Sequence, residues 1–138
     1  MVKFYFIFNF NYFFINFFYI CPALILDLIT VGLFKYIFKR PRPRVNKKSD
    51  MAIGTNYGVD KFSFPSGHSS RAILMNGILP YLFLNEFNSI SILTTSLCFF
   101  SYMTCISRFL LTRHYVSDVL AGILLGYFNS FIVLNYLF

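Results

Sequence analysis

Four apolar runs of near-bilayer length, separated by short polar islands, leave this chain few ways to fold. A hydrocarbon core asks for about 20 apolar residues per helix. Runs of that kind read from Pro22 to Phe38, Ser66 to Leu84, Ile90 to Phe109 and Val116 to Phe138. With 57% hydrophobic and only 12% charged residues in 138, the chain is too apolar for a soluble domain of its size. The expected fold is all-α: a multi-pass membrane bundle of four transmembrane helices plus an N-terminal hydrophobic segment. It is expected to form one domain over residues 1–138, with its core at 22–127.

Pro22 suits the first turn of a helix, where its missing N–H costs nothing, so the first span is expected to start there. Residues 1–20 carry Asn9, Asn11 and Asn16 among Phe, Tyr and Ile. Joined to the first span they would make a helix of about 54 Å at 1.5 Å per residue. The segment is therefore expected to bend, lie in the interface or be incomplete. A signal peptide fits less well, with a single Lys3 and no small-residue cleavage site. The turn Asn85 to Ser89 is short enough to force an antiparallel neighbour, and Pro80 marks a kink.

Three islands interrupt the runs: Lys35 with Arg42-Pro43, Pro65-Ser66-Gly67-His68, and Ser107-Arg108 with His114 and Asp118. Both histidines of the chain lie in them. Threading the spans through a bilayer returns all three islands to one membrane face, with ten of the twelve basic residues, all except Lys3 and Arg71. Ionisable groups are costly in a membrane and mark functional sites there, so the clustering points to phosphate.

Each island also has its own chemistry. The Pro65 to Ser70 stretch opens a helix whose free N–H groups and dipole favour an anion. Gly67 allows close approach, and the Ser66 hydroxyl adds a donor. His114 and Asp118 are four residues apart, on one side of a helical turn, so the carboxylate is expected to hold one ring nitrogen and leave the other as nucleophile. Lys35, Arg42 and Arg108 supply charge for phosphoryl oxygens. His68 is left to deliver a proton to the leaving oxygen.

Taken together, Lys-x6-Arg-Pro, Pro-Ser-Gly-His and Ser-Arg-x5-His-x3-Asp resemble the signature of the type 2 phosphatidic acid phosphatase superfamily. The resemblance implies a metal-independent phosphohydrolase without cofactor that works through a phosphohistidine. By position, His114 would attack phosphorus, Asp118 would orient it and His68 would act as acid and base. Lys35, Arg42, Ser66, Gly67 and Arg108 would bind the phosphoryl oxygens. Val59 to His68, Arg71-Ala72, Arg113 to Val119 and Gly126-Tyr127 resemble the polyisoprenoid diphosphate phosphatases, as does Asp27. That subgroup implies polyisoprenoid diphosphate substrates and an endoplasmic reticulum or other internal membrane. Phosphatidate, sphingoid-base phosphates and a silent lipid-phosphate binder stay open. Members usually carry six spans, so the chain reads as a minimal form, a fragment of a longer product or one completed by a partner, with reduced stability or activity expected.

Plainer roles account for much of the rest. Lys39, Arg40, Arg44, Lys47 and Lys48 read as a topology signal or anchor for anionic membrane lipid, which places the basic face in the cytosol. Asp27 reads as a paired structural carboxylate ahead of a helix-packing group or a substrate-side residue, since it lies about two turns from Lys35. Arg71 either backs the phosphate site or snorkels to headgroups. Ser107 bonds a helix carbonyl. Gly122 and Gly126 form a small-residue pair that seats a neighbouring helix. Cys21, Cys98 and Cys105 have no metal-ligand spacing, and no carboxylate cluster suits magnesium. The expected partners are a phosphorylated lipid and membrane lipids, not nucleic acid, because the +7 charge lines a membrane face. Homo-oligomerisation is left open.

Overall fold

The structure, a computed structural model, describes residues 10–43, 61–84 and 91–136. They form α1 (Phe10–Phe38), α2 (Gly67–Leu84), α3 (Ser91–Leu110) and α4 (Val116–Tyr136). The residues before Phe10, the expected anchors Arg44, Lys47 and Lys48, the turn Asn85 to Ser89 and the last two residues lie outside the described ones.

The helices follow the apolar runs except at the start. α1 is one helix of 29 residues that passes through Pro22 instead of beginning there, so it spans roughly 43 Å at 1.5 Å per residue. Segment 10–21 continues the same helix, so the expected helix start at Pro22 is corrected. The proline signal misled because no capping side chain accompanies it: Cys21 precedes Pro22, where a helix start favours Ser, Thr, Asp or Asn. Inside a membrane helix the bond that proline forfeits is replaced by neighbouring groups.

Two of the four helices, at Phe17–Phe38 and Val116–Tyr136, are long and apolar enough to cross a membrane. α2 is diluted by its polar first turns, His68 to Arg71, and α3 by Thr94, Thr95, Ser96, Ser101, Thr104 and Ser107. The outward faces remain oily. Ile25, Leu28, Ile29 and Leu33 on α1, Phe99, Phe100 and Phe109 on α3, and Leu124, Phe128 and Phe131 on α4 are all exposed. Apolar surface on that scale marks a membrane or partner interface.

α2 is the hub, packed on all three other helices and most extensively on α4. The reason is the glycine pair. A Cβ on Gly122 would stand 2.5 Å from the Ser66 carbonyl oxygen, and one on Gly126 would stand 2.5 Å from that of Ser70. Only glycine lets the backbones meet so closely, as the four-residue spacing predicted. Small apolar clusters close the interior: Ala23, Leu74, Ile78 and Val133 in one, Ile73, Cys105 and Val119 in the other. Cys105 is thus a buried small hydrophobe. By contrast, α1 and α3 barely touch.

Candidate active site

The site gathers at one end of the bundle, where α1 and α3 finish and α2 and α4 begin. Each incoming segment is fixed by backbone hydrogen bonds. Past α1, residue Pro41 pairs with Phe62 in an antiparallel bridge. Ser63 N–H donates to the Arg40 carbonyl at 2.9 Å, and its hydroxyl donates to the Arg40 and Pro41 carbonyls at 3.3 and 3.2 Å. The Phe38 and Phe64 rings, with centroids 4.7 Å apart, pin this strap to the end of α1. Between α3 and α4 the chain reverses within five residues, 111–115, with Thr112 at a φ of 52°. That left-handed turn sends Arg113 and His114 back over the bundle end. α4 is locked to α2 where Ser66 N–H donates to the Asp118 carbonyl at 2.9 Å.

These constraints build one cavity of about 270 Å³ lined by Leu28, Lys35, Arg42, Gly67, His68, Arg71, Arg108, Arg113 and His114. Lys35, Arg42, Gly67, His68, Arg108 and His114, six residues singled out from the sequence, share that wall. Arg71 and Arg113 join them. Lys35 is buried, whereas His68 is exposed. The Arg108 Nε is buried and finds no hydrogen-bond partner among the described residues, a donor arrangement that an anion would complete.

His114 is 5% exposed. Its Nδ1 lies 2.8 Å from the Ser63 carbonyl oxygen. A carbonyl only accepts, so Nδ1 carries the proton and Nε2 keeps its lone pair. Burial, reinforced by the positive charge of Arg42 and outweighing the Ser63 bond, pulls the His114 pKa down to about 4. The ring is therefore neutral at pH 7, the form a nucleophile requires.

Two expected roles are corrected by these contacts. Asp118 does not hydrogen-bond His114: Oδ2 is 3.9 Å from Nδ1, and the Ser63 carbonyl takes the bond instead. The carboxylate is occupied as the capping residue of α4, where Oδ2 accepts the Tyr115 N–H at 3.0 Å, the reciprocal half of a capping box. It acts on His114 through space. Ser66 is fully buried and does not line the cavity. Its Oγ lies 2.9 Å from the Ser69 hydroxyl and 3.4 Å from the Ser69 nitrogen, the position of a helix N-cap.

Arg40, read as a lipid anchor, is a third correction. Its Nη1 donates to Asp118 Oδ1 at 2.8 Å and to Ser117 Oγ at 2.6 Å, and its guanidinium stacks 4.2 Å from the Tyr115 ring centroid. Arg40 and Ser63 were missed because both act through the pairing of two strap segments some twenty residues apart, which leaves no local spacing to read. Ser107, as expected, donates to the Thr104 carbonyl at 2.7 Å.

The chain matches the family model of the PAP2 superfamily over residues 16–138. It is also similar to the "Probable lipid phosphate phosphatase beta" of Arabidopsis thaliana, at 34% identity over an alignment covering 83% of this chain and 62% of that protein. The chain thus spans less than two thirds of that relative's length. No solved structure matches.

Proposed function

The chain belongs to the PAP2 superfamily, and on that premise we propose that it is a multi-pass membrane phosphohydrolase for phosphorylated lipids, working through a phosphohistidine without a metal ion. One observation carries this reading: a single cavity at the bundle end holds His68, His114 and the cations Lys35, Arg42 and Arg108. The N–H groups at the start of α2 would favour an anion at the same end of the bundle. The exposed apolar faces of α1, α3 and α4 suit a lipid surround.

In the first step His114 Nε2 attacks the terminal phosphorus, forming a P–N bond as the bond from phosphorus to the leaving oxygen breaks, the bridging oxygen of a diphosphate or the ester oxygen of a monophosphate. Protonated His68 gives its proton to the departing oxygen. Charge shifting onto the phosphoryl oxygens is met by Lys35, Arg42, Arg108 and the Gly67 N–H, set in place beforehand. In the second step His68, now neutral, takes a proton from water, whose oxygen displaces His114 from phosphorus. Asp118, held by Arg40 and Tyr115, and the Ser63 carbonyl keep the ring in its reactive tautomer and favour the positive charge it acquires. Ser66 contributes by capping the turn that presents Gly67 and His68.

Polyisoprenoid diphosphates are the proposed substrates, from the run Val59 to His68 with Arg71-Ala72 and from Arg113 to Val119, and an internal membrane such as the endoplasmic reticulum is the proposed location. Phosphatidate and sphingoid-base phosphates are the competing substrates. The test is phosphate release from farnesyl diphosphate, phosphatidate and sphingosine phosphate by protein in detergent. The expected result is fastest release from the diphosphate, a loss of about 10³-fold or more in His114→Ala, and no change with chelator. Equal release by His114→Ala contradicts the mechanism, and loss with chelator contradicts its independence of metal.

A further inference from the structure

Midway along α1 stands a carboxylate that the mechanism above does not use. Asp27 is fully buried. Its Oδ1 accepts the Ser70 hydroxyl and the Asn129 amide, the latter at 3.1 Å. Asn129 also donates to Thr30 Oγ1 at 2.9 Å. Two other helices, α2 and α4, therefore fix one oxygen of the carboxylate. The other oxygen, Oδ2, has no hydrogen bond among the described residues and faces Arg71 Nε at 3.3 Å as an ion pair.

Arg71 reaches in two directions. Side chains on a helix lean toward its N-terminus, and Arg71 Nη2 lies 3.7 Å from where a Cβ on Gly67, one turn earlier, would stand. The side chain lines the cavity beside His68 and His114. A guanidinium has five N–H donors in a rigid fork. With Nε turned to Asp27, the Nη groups are those nearest the first turn of α2. The ion pair gives the Arg71 side chain, 40% exposed, a partner inside the bundle.

We propose that Arg71 is a further phosphate-binding residue, its fork aimed at the N-terminal turn of α2 by the buried carboxylate of Asp27, which serves as a positioning residue. The proposal rests on the phosphohydrolase reading. Arg71 lies outside the three sequence blocks that mark the site; of the two roles the sequence allows it, the ion pair with Asp27 and its place in the cavity wall favour backing the phosphate site.

The test measures turnover of farnesyl diphosphate and its inhibition by inorganic phosphate in wild type, Asp27→Asn, Arg71→Gln and the double variant. The double variant removes both charges, so no buried carboxylate is left stranded. Loss of a charge-assisted bond is expected to raise the phosphate inhibition constant about tenfold to a hundredfold in Arg71→Gln and in the double variant alike. Asp27→Asn is expected to raise it less, and to add nothing once Arg71 is gone. A double variant that turns over substrate with an unchanged phosphate inhibition constant overturns the proposal and leaves the phosphohydrolase reading intact. Wild type that releases no phosphate overturns that reading and this one with it.

Discussion

Along the seam between α2 and α4 the backbones meet at Gly122 and Gly126, while across the bundle α1 and α3 barely touch and the cationic cavity opens between them. The seam fixes distances. Through it the Ser66 to His68 turn and the Tyr115 to Asp118 turn become one rigid unit, joined by the Ser66 to Asp118 backbone bond of 2.9 Å. The opposite side supplies Lys35 and Arg108 from helices that do not constrain each other. Rigid placement of the two histidines on one side and an open cationic cavity on the other come from one asymmetric packing.

The comparison breaks most completely at the glycines. Gly122→Leu or Gly126→Leu drives a side chain into a backbone carbonyl that cannot move aside, and should cost about 3 kcal/mol or more. Loss of the monodisperse folded protein in detergent, measured by size exclusion and thermal melting, is the expected outcome. Retained folding with full activity would show that the seam does not set the site.

Next in size is the pH response of His114. Its folded pKa of about 4 lies below the ordinary 6.5, so the unfolded chain binds the proton first as pH falls. Stability from keeping this ring neutral is present above about pH 6.5 and is lost between 6.5 and 4, to the order of 3 kcal/mol. Melting of wild type against His114→Asn across that range should show the loss in wild type alone. The acid limb of kcat/KM that belongs to His114 should also fall near 4. A limb near 6.5 assigned to His114 would contradict the buried, cation-flanked ring.

Arg40→Ala strips Asp118 of its nearest cation while leaving the Tyr115 cap bond. The Arg40 side chain is 37% exposed, which weakens the pair relative to a buried one. A stability loss of about 1–2 kcal/mol is expected, with a larger proportional fall in kcat than in KM. An unchanged kcat would return Arg40 to the role of surface charge.

How much of this is visible without coordinates depends on what holds each residue in place. The lengths of the apolar runs alone send Lys35, Arg42, His68, Arg108 and His114 to one end of the bundle, so the cavity wall was legible. The Gly122 and Gly126 spacing likewise announced the seam. What stayed hidden depends on long-range pairing: Ser63 reaches His114 only because the strap crosses it, and Arg40 reaches Asp118 by the same route. Asp118 and Ser66 carry the right identities for chemistry, yet the helix ends beside them claim their oxygens first. Pro22 hid the true extent of α1 because a proline that suits a first turn is also tolerated inside a membrane helix.

The smallest effect sharpens the contrast from the loose side. A Cβ on Gly32 in α1 meets nothing within 4 Å, so Gly32→Ala should gain roughly 0.5–1 kcal/mol from helix propensity. A rise of a few degrees in melting temperature with unchanged kinetics is expected. Destabilisation would mean that the α1 face is packed.

The most direct measurement of the central claim is acid-labile phosphate on the protein during turnover. With substrate labelled in the transferred phosphoryl group and rapid alkaline quenching, label is expected on His114 in wild type, to be absent in His114→Asn and to accumulate in His68→Asn when the assay uses a leaving group that departs without protonation. Steady turnover by wild type with no label on His114, or equal label in His114→Asn, would contradict the account.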